Sequence, residues 1–234
     1  MKKISKYAIF YYDKQDEILI NYLEEYLNAN AEKIFNFFDN NLLRRKVKIH
    51  IIPTKKEYDN IVRLRRNTNE IPKWEIGCAT STDEIKYVSL YDYKNTSHSY
   101  DENNFDKTLN DYKKNIIHEF VHFVTYLFCK KYSLNYPLKY LSEGIAQYLS
   151  KQKDDINLNF DYTLDNILNS NSNYNGWFLI TKYIIENYSH DYFIKLLSNK
   201  DYALKETSKL YLEAKEYYSN LQINNNIKNF KEKN

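Results

Sequence analysis

Two cysteines in 234 residues leave no disulfide framework to read. Cys78 and Cys129 are also too far apart to form a Cys-type metal pair, so both are expected to be free thiols. Cys129 falls near the end of a helical stretch, where it reads as a small buried hydrophobe. Long apolar runs are absent: no stretch approaches the roughly 18 residues that a membrane span needs, so a membrane partner is not expected. An excess of one charge is missing as well. With 34 basic and 31 acidic residues the net charge is +3, which gives no reason to expect nucleic acid as partner. The run Arg63-Leu64-Arg65-Arg66 reads as a solvated helix end. Lys2, Lys3 and Lys6 are followed by only a short apolar run, Tyr7 to Tyr12, and then by Asp13, Lys14 and Asp16. That run is too short for a secretory core, so a cytoplasmic location is favoured, or a secreted one if a leader has been removed.

Glycine and proline number three each, whereas tyrosine reaches 25. The abundance of Asn, Lys, Ile and Tyr fits an A/T-rich coding sequence, so any single tyrosine needs a positional argument before it is given a role. The 43% hydrophobic content is enough to bury a sizeable core, with room for two lobes around a cleft.

Ile4 to Tyr12 reads as a first strand. Residues 16 to 40 read as a long helix, with Ile18, Tyr22, Tyr26, Ala29 and Phe37 near one stripe. Val47 to Ile52 is a second strand ended by Pro53, after which Thr54 and Glu57 signal the start of a helix through Arg65. Trp74 to Thr80 and Lys86 to Leu90 read as further short strands joined through Ser81-Thr82-Asp83-Glu84. The polar stretch from Tyr91 to Asn110 reads as a long loop. Beyond residue 110 the periodicity is helical, broken near 135–137, 154–160, 169–175 and 189–190. The expected class is α+β. Residues 1–130 form a mixed lobe with a small twisted sheet, 131–223 a mainly helical lobe, and 224–234 a fraying tail.

Chemistry concentrates in His118-Glu119-Phe120-Val121-His122, an H-E-x-x-H sequence. Residues four apart share a helix face, so both imidazoles can meet one metal ion while Glu119 points at a water on it. Ile117, Phe120, Val121, Val124 and Phe128 repeat at helical spacing, which sets the histidines on or beside a buried face; a surface helix carrying them by chance would lack that pattern. A catalytic zinc needs three protein ligands and an open position. Glu143, in Tyr140-Leu141-Ser142-Glu143-Gly144-Ile145-Ala146-Gln147-Tyr148, is the candidate third ligand, returned by a helix that follows Asn135 and Pro137. Gly144 inside that helix calls for close approach to another element, since glycine there costs about 1 kcal/mol relative to alanine.

HEFVH followed by YLSEGIAQY resembles the gluzincin branch of the zincin metallopeptidases, over residues 110 to 150. Tyr174-Asn175-Gly176-Trp177-Phe178 with Tyr183 to Tyr188 is similar to the later helix of small peptidases of that group. The resemblance implies a zincin-like fold, one Zn2+ per chain on His118, His122 and Glu143, and Glu119 as general base and acid in peptide hydrolysis. It implies an oxyanion donor as well, first Tyr174 and second Tyr136, with His98 and His190 as other donors; His50, in an apolar strand pattern, reads as structural. Gln147 and Glu186 are candidate acceptors for the imidazole N–H groups. The Gly-x-Met-Glu-Asn segment of the zinc aminopeptidases is absent, because Met1 is the sole methionine. An endopeptidase acting on peptide or protein substrates is therefore expected, with Gly77, Cys78 and Ala79 as the strand that pairs with them. The other reading is a zinc-binding interaction or toxin-like module with weak or lost hydrolysis, and a metallohydrolase of non-peptide amides is a third.

Overall fold

The computed structural model describes residues 1–79, 83–97, 104–153, 156 and 158–233, with side chains described as far as residue 223. The chain is α+β and divides into two compact units, Met1–Phe128 and Cys129–Asn234. The first contains β1 (Lys2–Ile4), β2 (Ala8–Tyr11), α1 (Glu17–Phe38), β3 (Val47–Ile52), α2 (Lys55–Arg66), β4 (Gly77–Ala79), β5 (Glu84–Val88) and most of α3 (Phe105–Lys131). Its sheet runs β1-β2-β3-β5-β4, antiparallel at the two outer pairs and parallel in the middle.

Alternation along the strands separates the two faces of this sheet. Ala8, Phe10, Val47, Ile49, Ile51, Ile85 and Tyr87 are buried on one face. Tyr87 meets Tyr112 of α3 edge-on at 5.0 Å, and α3 joins α1 through Phe35 and Phe120 at 5.7 Å and Phe38 and Phe128 at 5.8 Å. Each such aromatic contributes about 1.5–3 kcal/mol by leaving water, and the edge-on pairs somewhat more. On the opposite face Tyr11 stacks on His50 at 4.6 Å. Burial and the neighbouring Lys86 hold His50 below the usual imidazole range, in keeping with a structural role.

Several sequence expectations change here. The single strand expected over Ile4 to Tyr12 is a hairpin, because Ser5 closes a turn: its N–H donates to Ala8 O at 2.9 Å, and its Oγ accepts from Ala8 N at 3.1 Å. On α1 the buried stripe is Leu19, Leu23, Leu27, Ala31, Ile34 and Phe38, while Ile18 and Tyr22 are exposed. The leucines outcompete the tyrosines for the core, since Tyr keeps a hydroxyl that favours a wet edge. β4 is shorter than Trp74 to Thr80, because Glu75 N bonds to Pro72 O at 3.0 Å in a turn; β5 ends at Val88, and Leu90 begins a 3-10 helix, Leu90–Asn95. The loop expected up to Asn110 gives way to α3 at Phe105. Thr80, Ser81, Thr82, His98, Ser99, Asp101, Asn103 and parts of the break at 154–160 lie outside the described residues. β3 and the start of α2 match the sequence, and Thr54 Oγ1 accepts from Glu57 N at 3.2 Å.

Asp16 is fully buried where α1 begins. Its Oδ1 accepts from Ser89 Oγ at 2.6 Å, but Oδ2 has no hydrogen-bond partner among the described residues. Burial pushes this carboxyl above its usual range. A raised folded-state pKa stabilises the protein below the unfolded pKa, and that contribution is lost as pH rises through the folded value. Asp16→Asn, which keeps an acceptor for Ser89, is therefore expected to melt above the wild type at about pH 7, with the gap closing toward about pH 4. Thermal melts at the two pH values check the sign.

The second unit contains α4 (Lys139–Ser150), α5 (Leu164–Asn169), α6 (Tyr174–Asn187), α7 (His190–Ser198) and α8 (Lys200–Lys233). Trp177, Leu179, Ile180, Ile184, Phe193, Leu196, Leu210 and Ala214 fill its core. The buried rings there have satisfied polar ends: Trp177 Nε1 donates to Ile167 O at 2.9 Å, Tyr218 OH to Leu179 O at 2.9 Å, and Tyr140 OH meets Thr207 Oγ1 at 3.1 Å. Among the described residues no helix is long and apolar enough to cross a membrane.

Candidate metal centre

The H-E-x-x-H sequence lies within α3, where Ile117, Phe120, Val121, Val124 and Phe128 are all buried, as their spacing predicts. That apolar face carries the two imidazoles inward. His118 is 8% exposed and His122 9%, their rings are edge-on at 4.8 Å, and their Nε2 atoms are 3.1 Å apart. Two ligands on a tetrahedral ion with bonds of about 2.0–2.1 Å would stand about 3.3 Å apart. The pair is thus already close to the separation that one ion requires.

Glu143 lies in the first turns of α4 and is half-buried. The glycine beside it has the local reason that the sequence demanded. A Cβ on Gly144 would come within 2.1 Å of Thr181 Oγ1 and 2.5 Å of Trp177 O, so α4 and α6 approach closely at this point. Thr181 Oγ1 also donates to Tyr140 O at 3.3 Å. Because the Trp177 carbonyl belongs to the α6 backbone, Gly144→Ala is expected to cost about 1–3 kcal/mol or more of stability, seen as a lowered Tm.

One ligand atom from each of His118, His122 and Glu143 falls within a common 4.8 Å, a group that can hold a metal ion. The donor set suits a cation: two imidazole nitrogens and a carboxylate present only lone pairs when the rings are neutral. Nε2 facing Nε2 at 3.1 Å is a hydrogen bond only in the tautomer that carries the N–H on one of these two atoms. Gln147, one turn beyond Glu143, is 1% exposed, and its side-chain oxygen has no hydrogen-bond partner among the described residues. Glu186 is exposed and paired with Lys182.

Glu119, between the two histidines in sequence, is half-buried and reaches the sheet. Its Oε2 accepts from Ala79 N at 2.6 Å, and its Cγ would lie 3.3 Å from a Cβ on Gly77. The same Cβ would meet the Tyr87 ring at 2.3 Å, so only glycine fits between β5 and the Glu119 side chain. Cys78 points the other way, toward Tyr58 of α2, whose hydroxyl donates to Glu75 Oε1 at 3.0 Å. Burial, and then the Glu119 charge, push the Cys78 thiol up, away from the thiolate form that acts as a nucleophile. The Ala79–Glu119 bond was missed in the sequence, although a glycine within a strand is the signal of such an approach.

Tyr174 is the first residue of α6, half-buried and edge-on to Trp177 at 5.2 Å. Tyr136 lies in the connection before α4, and His190 is exposed at the start of α7. No protein-family model, curated protein or solved structure matches the chain.

Proposed function

We propose that this protein is a zinc-dependent peptidase, an endopeptidase of the gluzincin type on a zincin-like fold. The observation that carries the reading is the convergence of His118, His122 and Glu143 within 4.8 Å while Glu119, between the two histidines, touches the outer strand of the sheet. Two imidazoles and one carboxylate form a set that zinc favours and that leaves a position open for water. Bound there, zinc would make its water acidic near neutral pH and polarise the carbonyl of the scissile bond.

The chain's own residues supply the rest. Glu119 takes the proton of the attacking water and passes it to the leaving amine nitrogen, serving as base and then as acid. An extended peptide adds to β4, the outer strand, through main-chain hydrogen bonds at Gly77 and Ala79. Tyr174 is assigned, on the resemblance, to donate to the oxygen that gains charge. Intact Glu119 speaks for hydrolysis, since a binding module has no use for the base.

Diffraction at the zinc absorption edge tests the reading. A single peak among His118, His122 and Glu143, with a water completing the shell, is the expected result. A fourth protein ligand closing the shell would make this a zinc-binding interaction module instead.

A further inference from the structure

The register of β4 decides which of its backbone groups face outward. Val88 N donates to Ile76 O at 2.8 Å, and these two residues are opposite in the register that sets Gly77 against Tyr87. Antiparallel pairs alternate between hydrogen-bonded and non-bonded, so Cys78 and Lys86 form the next bonded pair. Gly77 and Ala79 therefore turn N–H and C=O away from β5, toward the side where no further strand lies among the described residues. A peptide strand added to this edge pairs with those two residues and not with Cys78.

One of these outward groups is already engaged. Ala79 N–H donates to Glu119 Oε2 at 2.6 Å, at the short end of charge-assisted hydrogen bonds. A peptide carbonyl placed opposite Ala79 would need the space that Oε2 occupies, and a single N–H cannot serve both oxygens at full strength. Gly77 presents no Cβ to the Glu119 side chain, whose Cγ would lie 3.3 Å from one.

We propose that the Ala79 N–H is a shared donor, which holds Glu119 against the strand in the free protein and is given up to the main chain of an extended peptide when it docks, so that docking releases the base. The inference rests on the peptidase reading. It makes Ala79 a positioning residue acting through its backbone, and it couples occupation of β4 to the freedom of Glu119. Proteins or water reaching the metal centre without pairing to β4 would find the base still engaged.

Selective nitrogen-15 labelling of alanine tests this directly, because the chain has only seven alanines and Ala79 is assigned by its loss in Ala79→Gly. In the zinc-loaded protein without peptide, Glu119→Gln is expected to move the Ala79 amide proton upfield, as a carboxylate acceptor is replaced by a neutral one. A peptide that wild type cleaves, remade with its scissile amide reduced to a methylene-amine, is then titrated into both proteins. The variant is expected to bind it about fivefold more tightly, because the weaker internal acceptor gives up the N–H more readily. An Ala79 amide indifferent to Glu119→Gln, or equal or weaker peptide binding by the variant, overturns the shared donor and leaves the peptidase reading standing wherever wild type still cleaves. If zinc-loaded wild type cleaves no member of a peptide library, that assay alone removes the peptidase reading, and this inference with it.

Discussion

Glu119→Gln is expected to lower peptide turnover by about a hundred- to ten-thousand-fold, the range over which a positioned general base acts. The substitution keeps the shape of the side chain and an oxygen that can accept from Ala79 N, but it removes the lone pair that takes a proton at neutral pH. His118, His122 and Glu143 are untouched, so zinc content is expected to stay at the wild-type level. Steady-state rates beside metal analysis on the same preparations give the answer. Loss of zinc in the variant would mean that Glu119 supports the site. A rate within tenfold of wild type would mean that it is not the base.

His122→Ala is expected to have the largest effect on metal affinity. It leaves one imidazole and one carboxylate, too few for a catalytic site with three protein ligands. Removing a hydrogen-bond partner behind a metal ligand costs about 10–100-fold in affinity, so losing the ligand itself is expected to cost more. Competition against a chromophoric chelator measures the change. His190→Ala is the matched control, since His190 is exposed at the start of α7 and lies outside the ligand group. Equal affinities in the two variants would remove His122 from the ligand set.

The parts of this protein legible in the sequence are those fixed by local rules. Ile117 to Phe128 repeats at helical spacing and is buried as that spacing demands. Thr54 caps α2 because a hydroxyl three residues before Glu57 N can accept from it. Gly144 announced a close approach, and the α6 backbone at Trp177 is what it approaches. The features that escaped are set by competition between distant segments. Helical spacing set Ile18 and Tyr22 on the α1 stripe, whereas packing of the whole unit buries Leu19 and Leu23. The Ser5 turn is invisible to a pattern of alternating apolar residues, because a hydroxyl and a backbone pair make it. Asp16 would ordinarily be placed on the surface; it is buried, and its Oδ1 accepts from Ser89, far along the chain. The meeting of Glu119 with Ala79 is of the same kind, a contact between a helix and a strand that no spacing within either one encodes.

Cleavage of a peptide library, followed by mass spectrometry before and after zinc is stripped and returned, tests the central claim most directly. New termini inside the peptides are expected with the zinc-loaded protein, absent after chelation and restored by about one zinc per chain. A protein that holds zinc on His118, His122 and Glu143 yet produces no new termini would contradict the peptidase reading, as would cleavage that continues undiminished after the metal has been removed.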